Sequence, residues 1–339
     1  MRLYYDVARY YSFARTGRDY VELIKRKYPV TEKFADADVV VLHREPHDYA
    51  AIYETFPLLS QKYVISFSVW EASELPEAYK RSLAYVQEVW TPSRYCYDVF
   101  RNYHPNVVCV PHVVDRDMAC SQADRDFVRS AIDHQTQCVY FLNLNKAWDK
   151  RKNLAGLVKA FRKYARAMPN ARLIVKLQQS NPGPWRSDDR IKVLSGPFTD
   201  GQINALYELA DVYVSPHHGE GWGLTLSDAI LFGKPTLATG YSGNLEFMTY
   251  ENSILVDFSE EHIRPEDCFG HFHPGMKWAY PNEDDLGKRM VELYESHQST
   301  PIINMVNKAR EDVRLFSSDR IQQLVHERLD QILSSRIQK

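Results

Sequence analysis

Residues 211–239 read DVYVSPHHGEGWGLTLSDAILFGKPTLAT. A short β-branched and aromatic run leads into a turn with three glycines around one carboxylate, then an apolar helix-like stretch and a second β-rich run. Strand, glycine turn, helix and strand in that order form the repeating unit of a parallel α/β sheet. Gly219, Gly221 and Gly223 carry more conformational entropy than an ordinary turn requires, so the spacing predicts a close approach to that backbone. A helix starting near Gly223 presents unpaired N–H groups and the positive end of its dipole, which is an anion site. Thr225 and Asp228 share one face of this helix, while Leu226, Ile230 and Leu231 pack inward. Asp228 then stands about one turn behind the anion, where a carboxylate can accept hydrogen bonds from a ribose diol. Glu220, in the turn itself, is placed to hold sugar hydroxyls on the other side.

The alternation continues in both directions. Strands are expected at 2–7, 37–44, 62–69, 88–93 and 106–114, with helices at 18–28 and 76–86, the latter opening on Pro76. The polar stretch DRDMACSQADRD (115–126) interrupts the pattern and is read as the interdomain linker. A second series follows: CVYFLNLN, the helix KNLAGLVKAFRKYARAM, ARLIVKLQ, DRIKVLSG, the helix GQINALYELA and DVYVSP. Residues 257–282, rich in His, Pro and acid, read as a long loop, and the chain from Glu283 reads as helical. The domains expected are 1–118, 119–315 and a final helix at 316–339, which carries apolar positions Ile321, Leu324, Val325, Leu329 and Ile332 and is a candidate to pack back on the first domain. Open α/β sheets bind ligands at the carboxyl ends of their strands, and two such domains facing each other would form a cleft.

The chain has 339 residues, room for two ordinary cores. Hydrophobic residues make up 44% and charged residues 25%, the composition of a globular protein rather than a disordered one. A formal net charge of -2 gives no global attraction to nucleic acid. The opening residues lack the apolar core of a secretory signal, and no run approaches the ~20 apolar residues of a membrane span, so a cytoplasmic location is expected. Cys96, Cys109, Cys120, Cys138 and Cys268 form no C-x-x-C pair and are read as reduced structural residues. Adjacent His217 and His218 point apart on an extended chain, and the D-x-D at 36–38 opens a strand, so no metal site is expected.

The segment 219–235 resembles the signature of glycosyltransferase family four, retaining enzymes of the GT-B fold, in which E-G-(F/W)-G-L precedes a second Glu. Glu220, Gly221, Trp222, Gly223 and Leu224 match the loop, and FGKPTLAT (232–239) matches the run that follows. The second acid is Asp228, one methylene short of the family's Glu. NLNKAWDKRKNL (143–154) is similar to the loop whose two cations clamp the donor diphosphate: Lys152 fits the Lys position, and Lys146 replaces an Arg, a substitution that loses bidentate geometry. Lys150 and Arg151 are read as solvated members of the run. YSGNLEFM (241–248) is similar to a further donor-pocket turn and contributes Gly243 and Glu246. In the first half the resemblance is looser. It places Gly17 in a loop before the first helix, against the diphosphate, and Glu71 after a strand end as a cleft acid.

The resemblance therefore implies two Rossmann-like domains with mostly parallel sheets, and transfer of a sugar from a nucleotide-diphosphate donor to a hydroxyl acceptor with retention. Glu220, Lys152 and Glu71 are the expected catalytic residues; Gly17, Lys146, Gly221, Trp222, Gly223, Leu224, Thr225, Asp228, Gly243 and Glu246 are expected to bind donor. No cofactor is expected, because lysines and a helix terminus can neutralise the diphosphate. The expected partners are a nucleotide sugar and a glycan or lipid-linked glycan acceptor. Peripheral membrane contact is a candidate role for Lys25, Arg26 and Lys27, since residues 2–33 carry eight basic against four acidic side chains. The alternatives are a sugar-nucleotide epimerase of the same fold and a non-catalytic sugar-nucleotide-binding subunit.

Overall fold

In the run VVVLH every side chain is buried, which marks a strand covered on both faces. It is the second strand of a parallel five-stranded sheet in the computed structural model, which describes residues 1–337. The chain divides into two compact units, one joining residues 1–115 to the segment from Arg314 onward, the other spanning Arg116–Val313.

In the first unit the chain runs β1 (Leu3–Val7), α1 (Tyr11–Lys25), β2 (Val39–His43), α2 (Tyr49–Thr55), β3 (Tyr63–Phe67), α3 (Glu77–Ser82), β4 (Glu88–Thr91), α4 (Arg94–Phe100) and β5 (Val107–Cys109). The strands lie in sequence order, all parallel. In the second unit come α5 (Gln122–Ala131), β6 (Val139–Asn145), α6 (Leu154–Tyr164), β7 (Ala171–Leu177), β8 (Ile191–Leu194), α7 (Asp200–Leu209), β9 (Val212–Ser215), α8 (Leu224–Leu231), β10 (Thr236–Thr239), β11 (Ile254–Val256), β12 (Phe258–His262), β13 (Lys277–Pro281), α9 (Glu283–Ser296) and α10 (Thr300–Asp312). Six of these strands form a parallel sheet in the order β11-β10-β9-β6-β7-β8. This order reverses direction between β6 and β9, the topological switch at which open α/β sheets place ligands.

The last helix, α11 (Ser318–Ile337), belongs to the first unit. Ile321, Val325, Leu329 and Ile332 are buried with Tyr20, Leu23 and Ile24 of α1 in one core, while Leu324 is exposed. Buried Glu88 of β4 receives both Nε and Nη2 of Arg328, at 2.8 and 2.6 Å, together with the Trp90 indole and the Tyr63 hydroxyl. Lys27 pairs with Asp330, Arg26 with Gln322 and Asp319, and Lys25 with Glu22. The three cations named as a candidate lipid contact pair with side chains of the same unit and stay partly exposed. His43 is wholly buried against Phe67, Tyr5 and Thr16, and burial lowers its pKa to about 3. No helix among the described residues is long and apolar enough to cross a membrane.

Four expectations are corrected. SFARTGRDY is helix rather than loop: α1 starts at Tyr11 with no side-chain cap and no acid in its first turn, so nothing local announces it. Gly17 lies inside that helix, where an added Cβ would meet both Val7 methyls at 2.7 Å; its bareness lets α1 lie against β1. The presumed linker contains α5, announced by a capping box between Ser121 and Asp124. The presumed loop 257–282 contains an antiparallel hairpin, β12 with β13. Polar FSEEH shows no core pattern, and its pairing is set by the burial of Ile263, Met276, Trp278 and Ala279 around it.

Candidate functional site

The carboxyl end of β9 carries the signature turn. Gly223 caps α8 with φ 95°, a left-handed conformation that an L side chain rarely adopts. Among the described residues the N–H groups of Leu224 and Thr225 at the head of α8 find no acceptor, as expected for a first helical turn. The backbone approach anticipated from the glycines comes in part from the chain itself. Gly243 donates its N–H to the Glu220 carbonyl at 2.8 Å, and a Cβ on Gly243 would fall 2.2 Å from the Gly221 oxygen. Two loops thus pack backbone to backbone, and Ser242 Oγ accepts the Glu220 N–H at 2.7 Å.

The loop after β6 is stitched to this turn. Asn153, left-handed at φ 51°, caps α6 through its Oδ1 and donates its amide to the Pro216 carbonyl at 3.0 Å. The His218 N–H bonds the Arg151 carbonyl at 2.7 Å. This brings Lys152 Nζ onto Glu220 Oε1 and Arg151 Nη1 to 3.3 Å from Glu220 Oε2. Arg151 also donates to the Gly219 carbonyl at 2.5 Å and to Asp149 at 3.0 Å. Burial pushes the Glu220 pKa up, but Lys152, Arg151 and His217 outweigh it and hold the carboxyl at about 2. Glu220 therefore remains ionised at neutral pH: it can accept hydrogen bonds and orient cations, and it cannot deliver a proton.

The two histidines diverge. His217 is enclosed by Ser215, Tyr241 and Asn244, while His218 stacks on Trp278 at 4.8 Å and bonds the Ala279 carbonyl at 2.6 Å, so β13 braces the turn. Burial lowers both, His218 to about 4.

Residues 136–263, which run from before β6 to just past the hairpin's first strand and hold these groups apart from Trp278 and Ala279, match the family model described as glycosyl transferases group 1. That segment is a glycosyl transferases group 1 domain. A trehalose synthase from Rubrobacter xylanophilus is 23% identical over 231 residues, 63% of this chain and 52% of its own. The chain thus spans about half the length of that curated relative. Among solved structures, HepE from Anabaena in complex with UDP and glucose superposes with a TM-score of 0.68 at 14% identity, over 97% of this chain and 99% of that one. A glycosyltransferase from Rickettsia africae gives 0.69 at 14%, over 98% of each chain. Likeness at such identity establishes the fold, which is of the GT-B class.

Within the glycosyl transferases group 1 domain, the structure gathers Lys152, Glu220, Gly221, Gly223 and Gly243 around one turn. Leu224 and Thr225 open α8, with the Thr225 carbonyl accepting the Tyr207 hydroxyl at 3.0 Å. Trp222, expected to bind donor, is 2% exposed, with its ring tilted against Phe247 at 5.0 Å. Lys146 lies over the Trp148 ring at 5.5 Å, and Glu246 ends the short helical turn that starts at Gly243. Glu71, like Gly17, belongs to the first unit, where Tyr10 and Tyr79 feel its charge.

Two charged residues of the second unit were misread or missed. Arg151, expected in solvent, is 8% exposed. In a run of four charges no spacing separates the buried cation from the solvated ones. Arg116 escaped notice inside the presumed linker, yet it binds Asp228 at 2.6 Å. A lone arginine a hundred residues from its partner leaves no local signal.

Proposed function

We propose that the chain is a retaining glycosyltransferase that moves a sugar from a nucleotide-diphosphate sugar to a hydroxyl acceptor. The observation that carries this reading is the convergence of Lys152 and Arg151 on buried Glu220 beside the uncapped start of α8, inside the matched domain. Departure of the diphosphate from an oxocarbenium-like carbon builds negative charge on the leaving group, and donors already in place stabilise it without reorganising. Lys152 and the Leu224 and Thr225 N–H groups supply them. The cluster's formal charge is balanced, two cations against Glu220 and Asp149, so its contribution is orientation rather than net attraction. Asp228 faces the ribose. The acceptor proton passes to a leaving phosphate oxygen on the same face, which retains configuration and requires no side-chain base; Glu71 orients the acceptor, a glycan or lipid-linked glycan hydroxyl. No metal is required in this scheme.

HepE's complex with UDP and glucose makes a uridine diphosphate sugar the first donor to test. Thermal-shift screening against UDP-, GDP-, dTDP- and ADP-sugars identifies the donor, because a ligand bound by the folded state raises its stability. Turnover is then followed with an acceptor panel. Acceptor-free conversion of donor to an epimer, or donor binding without turnover on any acceptor, overturns the transferase step.

A further inference from the structure

The carboxylate of Asp228 is already held. Arg116 Nη1 donates to Asp228 Oδ2 at 2.6 Å and Nη2 donates to Asn204 Oδ1 at 2.5 Å. The side chains of Arg116 and Asp228 are 10% and 4% exposed. The guanidinium lies 5.7 Å from the Phe232 ring and 6.0 Å from Tyr207, two rings that stack on each other. Asn204 is fixed in turn, since its amide nitrogen bonds the carbonyls of Asp117 and Ala119 at 3.1 and 2.8 Å. Residues 116–119 are thus pinned between α7 and α8, and their arginine reaches the acid of the signature helix.

We infer that Arg116 is a positioning residue for the nucleotide ribose: it sets the rotamer of Asp228, and Asn204 sets Arg116. The inference rests on the nucleotide-sugar reading above. Three features lead to it. A guanidinium is a rigid, planar fork, so with one arm fixed on Asn204 Oδ1 the other is aimed at Asp228 Oδ2 and holds that oxygen in place. Aspartate has one fewer torsion than glutamate, so once that orientation is set there is no further joint to adjust. Both charges are withdrawn from water, where an unpaired carboxylate is strongly disfavoured, so the pair persists in the folded protein. A simple clip between residues 116–119 and α8 would also be stabilising, but would leave ribose recognition unchanged when removed. The two roles therefore differ in one measurable ratio.

The test uses the full chain with UDP and GDP, each as the ribo, 2′-deoxy and 3′-deoxy form, titrated by calorimetry. In the wild type the ribo form binds tighter than at least one deoxy form. Arg116→Met is expected to shrink that preference about tenfold, the worth of one charge-assisted hydrogen bond, while affinity for the deoxy form changes little. Arg116→Lys, which keeps a charge but not the fork, restores part of the preference. Asn204→Leu keeps the ion pair and removes the second anchor of Arg116 together with the amide bonds to the Asp117 and Ala119 carbonyls; it shrinks the preference in the same direction by less, and it decides the matter should Arg116→Met not fold. A lowered melting temperature with an unchanged preference overturns the inference alone. A wild type that binds neither nucleotide, nor ADP or dTDP, overturns the nucleotide reading and the inference falls with it.

Discussion

Replacing Lys152 with methionine removes one of two cations from a carboxylate that has almost no access to water. The Glu220 side chain is 7% exposed and its pKa is lowered from 4.5 to about 2. At ~1.4 kcal/mol per tenfold change in proton affinity, that depression stabilises the folded state by ~3 kcal/mol at neutral pH. The sign follows from the direction. A carboxyl more acidic in the folded than in the unfolded chain contributes fully above 4.5, and the contribution is lost as pH falls through about 2. Lys152 is the larger of the two cationic influences, and Arg151 remains at 3.3 Å in the variant. Lys152→Met should therefore cost ~2 kcal/mol at neutral pH, with the difference from wild type narrowing below about pH 4. Urea denaturation across that pH range measures it. Turnover at saturating donor should fall ~10²–10³-fold, as when one preplaced donor to a developing anion is lost. A variant within ~0.5 kcal/mol of wild type at neutral pH and with near-normal turnover would refute both the ion-pair and the leaving-group arguments.

Gly243→Ala places a methyl 2.2 Å from the Gly221 oxygen, so denaturation should show a loss of ~1–3 kcal/mol and thermal shifts by donor should shrink. Arg328→Met strands Glu88 without its cation; ~3 kcal/mol, the low end for a broken buried pair because Tyr63 and Trp90 still donate, should be lost, and hydrogen exchange should show α11 amides losing protection. Buried His43 has a pKa of about 3, below its ordinary 6.5, so stability should decline as pH drops from 6.5 toward 3, where the unfolded chain takes up a proton that the folded chain refuses. His43→Asn should flatten part of that decline in acid denaturation curves; an unchanged slope would show that His43 is accessible to protons in the folded protein.

Much of the fold was legible because strands and helices announce themselves locally. Every strand of the parallel sheets except short β11 lies within or upon a run of β-branched and aromatic residues read directly from the chain. Errors fell where local chemistry was silent or ambiguous. Tyr10 caps α1 without a side-chain bond, and β12 is mostly polar, so the first turns of α1 and the whole of β12 could not be seen without their neighbours. The Ser121–Asp124 capping box, by contrast, was present in the linker and available to be read.

For the site, the string from Gly219 to Asp228 was enough to mark a glycine turn, a helix start and two acids, because backbone conformation and helical spacing are properties of neighbours along the chain. What each acid touches was a different matter. The ring of Trp222 turned inward, Arg151 moved from solvent to the Glu220 carboxylate, and Arg116 crossed 112 positions to reach Asp228. Burial and ion pairing depend on which distant segments the fold stacks together, and Coulomb energies between such partners rise as water is excluded. The chain thus specified by itself where charge can gather, and only the packed sheet decided which charges meet.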